Sequence, residues 1–163
     1  MCGIAGLFRP FGIDIDPIYR MTSLLEHRGP DAEQITTVAD PEGTPMASLG
    51  VRRLAIVDPE GGQQPVWDEK QQILVAFNGE IYNHLSLRTE LDKRSVSTTI
   101  KVDHIQSRWK GHSDTETLLE CISEWGIEKT LQESVGMFAF AVWDLQSRTL
   151  TLARDRFGEK PLY

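Results

Sequence analysis

The residue best equipped for covalent chemistry stands almost at the start of the chain. Met1-Cys2-Gly3-Ile4 sets a thiol directly after the initiator methionine, and a small second residue favours removal of Met1. A trimmed chain begins with Cys2, whose sulfur is a nucleophile and whose freed α-amine, with an ordinary pKa of about 7.7–8.0, relays a proton near neutral pH. Attacking atom and base then belong to one residue. The competing reading makes Cys2 a small apolar residue opening a strand, as free cysteines often are. Three other places carry polar groups where apolar ones would serve. Asn78-Gly79-Glu80 ends the apolar run 73–77 and leads through Asn83 into a helix; an Asn-Gly that is not a hairpin turn presents its polar groups for use. Arg52 and Arg53 enter the apolar run 54–57. Asp114 stands in a first helical turn, where the dipole favours a carboxylate whether or not it binds a ligand.

Composition narrows what this chemistry can act on. The 163 residues suit one domain able to bury a sizeable core, with 40% hydrophobic and 25% charged residues. A net charge of −7 argues against nucleic acid, which needs a basic face. One stretch runs the other way: Lys93, Arg94, Lys101, Arg108 and Lys110 face only Asp103, as either a docking patch or a solvated surface. No apolar run nears the roughly 20 residues of a membrane span and no targeting segment opens the chain, so no membrane partner is expected and the cytoplasm is the expected location. Cys121 shares a helical face with Leu118 and Ile122 and reads as core. Two cysteines build no disulfide framework, and His27, His84, His104 and His112 lack metal-ligand spacing, so no metal is expected.

The elements that must position these groups follow from local pattern. A strand follows Cys2. A helix starts at Asp16-Pro17, capped by the carboxylate, and ends by His27 before Arg28-Gly29-Pro30-Asp31. Residues 34–38 and 46–52 alternate as strands around the loop 40–43. The run 73–77, apolar on both faces, is a buried strand, and Asn83 caps a helix carrying Leu87 and Leu91. Residues 96–109 alternate and read as a strand or irregular hairpin. Ser113-Asp114-Thr115-Glu116 is a capping box opening a helix that Gly126 closes. Residues 136–144 are a central strand, turning at Gln146-Ser147 into a hairpin partner at 149–154. Strands outnumber helices and two are covered on both faces, which suggests stacked sheets flanked by helices. No repeat or linker divides the chain.

The motifs Cys2-Gly3-Ile4-Ala5-Gly6, His27-Arg28-Gly29-Pro30-Asp31, Arg53-Leu54-Ala55-Ile56-Val57-Asp58, Phe77-Asn78-Gly79-Glu80-Ile81-Tyr82-Asn83, Ser113-Asp114-Thr115-Glu116 and the segments 136–144 and 154–163 resemble, in order, the glutaminase domain of glutamine-hydrolysing asparagine synthetases. The opening alone fits any type 2 glutamine amidotransferase; the later blocks narrow it. The resemblance implies an α+β fold, a four-layered αββα sandwich of the N-terminal-nucleophile hydrolase type, over residues 1–163. It casts Cys2 as nucleophile and base, Asn78 and the Gly79 N–H as oxyanion donors, Arg53 as partner of the substrate carboxylate, and Asp114, assisted by Glu80, as partner of its ammonium. It implies glutamine as substrate and no cofactor for this domain. ATP and magnesium enter only with a C-terminal synthetase domain, a partner absent from these residues, where ammonia would convert aspartate to asparagine. Relatives serving sugar, peptide or β-lactam acceptors and a vestigial docking module are the alternatives, and a homodimer is compatible with either.

The same resemblance assigns Arg28, Gly29, Pro30 and Asp31 to shaping a loop. It puts Arg154-Asp155-Arg156 and Glu159-Lys160 at the synthetase interface. Two departures stand out: the stretch 94–111 exceeds the family's usual link, and the chain stops as an apolar segment begins, which reads as a truncation.

Overall fold

Strand pairing in the computed structural model, which describes residues 2–55, 58, 62–96 and 108–163, produces two antiparallel sheets laid face to face. The first has the order β1-β3-β2, built from β1 (Gly3–Phe8), β2 (Ala32–Ala39) and β3 (Pro45–Arg53). The second has the order β4-β5-β6-β7, from β4 (Val66–Trp67), β5 (Ile73–Ile81), β6 (Gly136–Asp144) and β7 (Thr149–Arg154). Helix α1 (Asp16–Ser23) covers the first sheet; α2 (His84–Val96), α3 (Asp114–Trp125) and α4 (Ile127–Glu133) lie on the second sheet's side. The layers therefore run α, β, β, α, as expected.

Two-residue periodicity decides which side chain enters which layer. Ala47, Leu49 and Val51 of β3 meet Leu74, Ala76, Ala141 and Trp143 between the sheets. The alternate residues Val75, Phe77, Phe140 and Val142 face the helices, where they pack with Leu87, Leu91, Leu118 and Ile122. Cys121 is fully buried in this second cluster, and burial pushes its thiol up to about 12. Each fully buried aliphatic or aromatic side chain contributes roughly 1.5–3 kcal/mol, so both layers are needed to hold a fold this rich in loops. On the outer face of β3, Gly50 leaves the room into which Thr22 of α1 fits.

Several local expectations are corrected. The cap of α1 is Ile15, with Asp16 inside the first turn, and the backbone N–H of Asp16 donates to Asp14 Oδ1 at 3.1 Å. The helix stops at Ser23, and a short 3-10 turn, Glu26–Arg28, completes the passage. Strand β5 does not end before Asn78-Gly79-Glu80 but runs through it to Ile81, with Gly79 opposite Phe138. A Cβ at Gly79 would collide with the Met137 carbonyl and the Phe138 backbone, so this glycine is demanded first by the closeness of β6. Asn83 does not cap α2 with its side chain: Oδ1 accepts from Val135 N–H at 2.9 Å and Nδ2 donates to the Glu133 carbonyl at 2.9 Å. Half of the expected capping box forms, since Ser113 Oγ accepts from Thr115 N–H while Glu116 takes the N–H groups of Lys110 and Gly111. Helix α4 was not foreseen, and Val96 ends α2 instead of opening a strand. Of the rest of that expected hairpin, Arg108 and Trp109 belong to no strand and 97–107 lies outside the described residues. None of the described helices is long and apolar enough to cross a membrane.

Candidate active site

At one end of the sandwich a cleft of about 130 Å³ gathers Cys2, Arg53, Gly79, Glu80 and Asp114. Its lining residues come from six separate parts of the chain. Cys2 immediately precedes β1 and is half-buried, packed against the cluster between the sheets. Asn78 belongs to the same layer by parity with Leu74 and Ala76, stands one residue before Gly79, and does not itself line the cleft. It is 6% exposed, and its buried Oδ1 has no hydrogen-bond partner. An orphaned buried acceptor costs roughly 1–3 kcal/mol, so this amide is not explained by stability.

Arg53 ends β3 and is buried, with Nη2 donating to the Asp58 carbonyl at 2.5 Å. The block ahead of β2 braces it: Asp31 N–H donates to the Arg53 carbonyl at 3.0 Å, and Asp31 Oδ2 accepts from Ala55 N–H at 2.7 Å. Asp31 thus holds the chain around Arg53 in the way expected of the block it ends.

Asp114 opens α3 and is 6% exposed, with Oδ2 accepting from Ile81 N–H at 2.9 Å. Burial raises its pKa above the ordinary carboxylate value; the N–H groups of Ile81 and Thr115 and the nearby His84 oppose the rise, and Glu80 adds to it. Glu80 itself is exposed at the rim. The start of α3 is held from α2 by Arg88, which donates to the carbonyls of Gly111 and Ser113 and to Thr117 Oγ1, each at 2.8 Å.

The basic stretch forms no open patch among its described members. Arg108 pairs with Glu120 and Glu124, Lys110 with Glu69, and Lys93 with Glu90. Nor do Asp155 and Lys160 present an outer face, being 5% and 4% exposed. Asp155 fastens the segment after β7, accepting from Phe157 and Glu159 N–H with Oδ1 and from Phe138 and Lys160 N–H with Oδ2. Gln64 is the cleft residue that local pattern did not single out. In the sequence it is one of two glutamines ahead of a proline, and spacing gives no sign of its bonds across the fold.

The thiol of the second residue thus shares a cleft with a buried guanidinium and a buried carboxylate, two groups able to hold the charged ends of an amino acid. The comparisons agree with that reading. The family model of the glutamine amidotransferase domain matches residues 1–163, so the chain belongs to that family. Among its relatives, asparagine synthetase [glutamine-hydrolyzing] 1 of Bacillus subtilis is 36% identical over 168 residues, covering 100% of this chain and 24% of the relative. Asparagine synthetase [glutamine-hydrolyzing] 2 of rice, Oryza sativa subsp. japonica, is 34% identical over 166 residues, covering 100% and 25%. The chain thus spans about a quarter of the length of these relatives. The fold is shared with the glutamine phosphoribosylpyrophosphate amidotransferase of B. subtilis, at a TM-score of 0.65 and 19% identity over 93% of this chain and 37% of that one. The two proteins thus share the α+β sandwich described above.

Proposed function

We propose that this chain hydrolyses glutamine to glutamate and ammonia through a thioester on Cys2. The observation that carries the reading is the single cleft joining the Cys2 thiol to Arg53 and Asp114. Arg53 takes the substrate α-carboxylate, where a planar fork offers two bonds that lysine could not reproduce. Asp114 takes the α-ammonium, with Glu80 at the rim adding negative potential. These anchors reject simple amides, because an analogue lacking either end leaves a buried charge unpaired.

The steps follow from the groups at hand. Cys2 sulfur attacks the side-chain amide carbon while the freed α-amine of Cys2 takes the thiol proton. Asn78 Nδ2 and Gly79 N–H receive the developing oxyanion, each donor lowering the barrier by roughly 3 kcal/mol. The C–N bond breaks, the amine's proton goes to the departing nitrogen, and ammonia leaves a thioester. Water, deprotonated by the same amine, attacks that thioester; the C–S bond breaks, releasing glutamate and restoring the thiol. Nucleophile, base and donors are all residues of this chain, so the domain needs no metal or cofactor. In the full-length protein the ammonia goes to ATP-dependent conversion of aspartate to asparagine by a C-terminal synthetase domain, where ATP and magnesium act, in the cytoplasm.

Protein with a Cys2 terminus verified by intact mass should release glutamate from glutamine. Cys2→Ala and a form retaining Met1, whose residue-2 nitrogen is an amide and no base, should release none. Glutamate release by either altered form, or none from the verified protein, refutes the mechanism.

A further inference from the structure

The register of β4 on β5 pairs Val66 with Val75 and Trp67 with Leu74. Continued by two residues, it would set Gln64 opposite Phe77, but Pro65 has no N–H and the ladder stops. The Gln64 side chain takes over: Oε1 accepts from Phe77 N–H at 2.7 Å, directly before Asn78 and Gly79. Its other end turns to α3, where Nε2 donates to Thr115 Oγ1 at 3.3 Å, directly after Asp114. Gln64 is 6% exposed and lines the cleft between these two attachments. One buried amide thus ties the strand presenting the reacting-end groups to the helix start presenting the ammonium partner.

We propose that Gln64 is a positioning residue that sets the span of the cleft, and with it the substrate side-chain length that reacts. The inference rests on the glutaminase reading above. Glutamine and asparagine have the same charged ends and the same amide and differ by one methylene. A fixed separation between Asp114 and the Asn78-Gly79 pair puts the glutamine carbonyl at Cys2 and leaves the asparagine carbonyl short of it. Displacement of a reacting atom by about 1 Å costs on the order of 100-fold in rate, so a rigid tie here acts directly on selectivity. Gln64→Met cuts both attachments at similar volume. Gln64→Glu keeps an acceptor for Phe77 N–H and offers one to the Thr115 hydroxyl, which can turn to donate. Gln64→Asn, one carbon shorter, cannot hold both ends.

The experiment compares kcat/KM for glutamine and for asparagine in the Cys2-terminal protein and the three variants, with asparagine followed at high enzyme concentration. The glutamine-to-asparagine ratio should fall about tenfold or more in Gln64→Met and Gln64→Asn and stay within about threefold of the parent in Gln64→Glu. Should Gln64→Met not fold, Gln64→Asn decides. A side chain that only stabilised the fold would lower both kcat/KM values together by reducing the active fraction. An unchanged ratio in the folded variants therefore overturns the inference and leaves the glutaminase reading standing. A parent protein inactive on both amides removes that reading, and this inference with it.

Discussion

Asp114 and Asp155 are two carboxylates with nearly the same small exposed area, 6% and 5%, but Asp114 lies far deeper among protein atoms, and their proton affinities move in opposite directions. Burial favours the neutral acid at both. At Asp155 it is overcome by the backbone N–H groups of Lys160, Glu159, Phe138 and Phe157, which hold the carboxyl down at about 2. At Asp114 it outweighs the N–H groups of Ile81 and Thr115 and the nearby His84, and Glu80 reinforces it, so the pKa ends above the ordinary value. The two differ both in depth and in donors: Asp155 is fastened by four N–H groups, whereas Asp114 is deeper, has fewer, and lines the cleft that also holds Cys2 and Arg53. That contrast fits the ammonium-binding role proposed for Asp114.

Neutralising each carboxylate in turn tests that contrast, beginning with the largest effect. Asp114→Asn should lower kcat/KM for glutamine about 100- to 1000-fold, because an ammonium facing an amide forfeits roughly 3–4 kcal/mol of a buried charge pair. The same change should leave the melting temperature at neutral pH no lower. Asp114 has a folded pKa raised from 3.8, so its contribution to stability is full below 3.8 and is lost as pH rises through the folded pKa. A melting temperature that fell with activity would make Asp114 a second fastener.

Asp155→Ala should behave in the opposite way. Its folded pKa of about 2 lies below the ordinary 3.8, so its contribution is present above 3.8 and lost as pH falls through about 2. Removing the acceptor shared by four backbone N–H groups should cost about 2 kcal/mol, or roughly 4–8 °C in melting temperature for a chain of this size. The KM of the folded fraction should not change, and a large rise in KM would void the distinction.

A smaller effect sharpens the Asp114 side. As pH falls, kcat/KM for glutamine should decline along an acid limb whose midpoint lies above 3.8, by about tenfold per unit once the carboxyl is protonated. Asp114→Asn should abolish that limb; its survival in the variant would assign it to another group. The smallest effect concerns the thiols. Cys121, pushed up to about 12 by burial, should resist iodoacetamide at pH 7.5 while Cys2 is alkylated, as intact mass would show, and two labels per chain would mean that the helix-facing core opens.

Much of this was legible along the chain. The buried strand 136–144, its hairpin partner and the Gly126 stop of α3 are local patterns, and the structure reproduces them. The candidate site was legible as a set of motifs, because a terminal Cys, an Asn-Gly off a buried strand and an Asp at a helix start are each unusual where they stand. Gln64 and Asp155 were not legible in the roles they take. Asp155 draws donors from β6 and from the residues that follow it, and Gln64 joins a strand to Thr115, 51 positions later. Gly79 is legible only in part: the sequence points to its backbone N–H, whereas its missing side chain first makes room for β6.

By itself, the order of residues determined most of the strands and helices and the family, because periodicity and motif blocks are properties of neighbouring positions. Tertiary structure alone decided which residues share the cleft and which amide spans it, because Gln64 meets Phe77 and Thr115, and Asp114 meets Ile81, only where segments far apart in sequence are packed together. The donors of Asp155 are mostly its own neighbours at 157, 159 and 160, and the fold adds only the N–H of Phe138 from the adjoining strand.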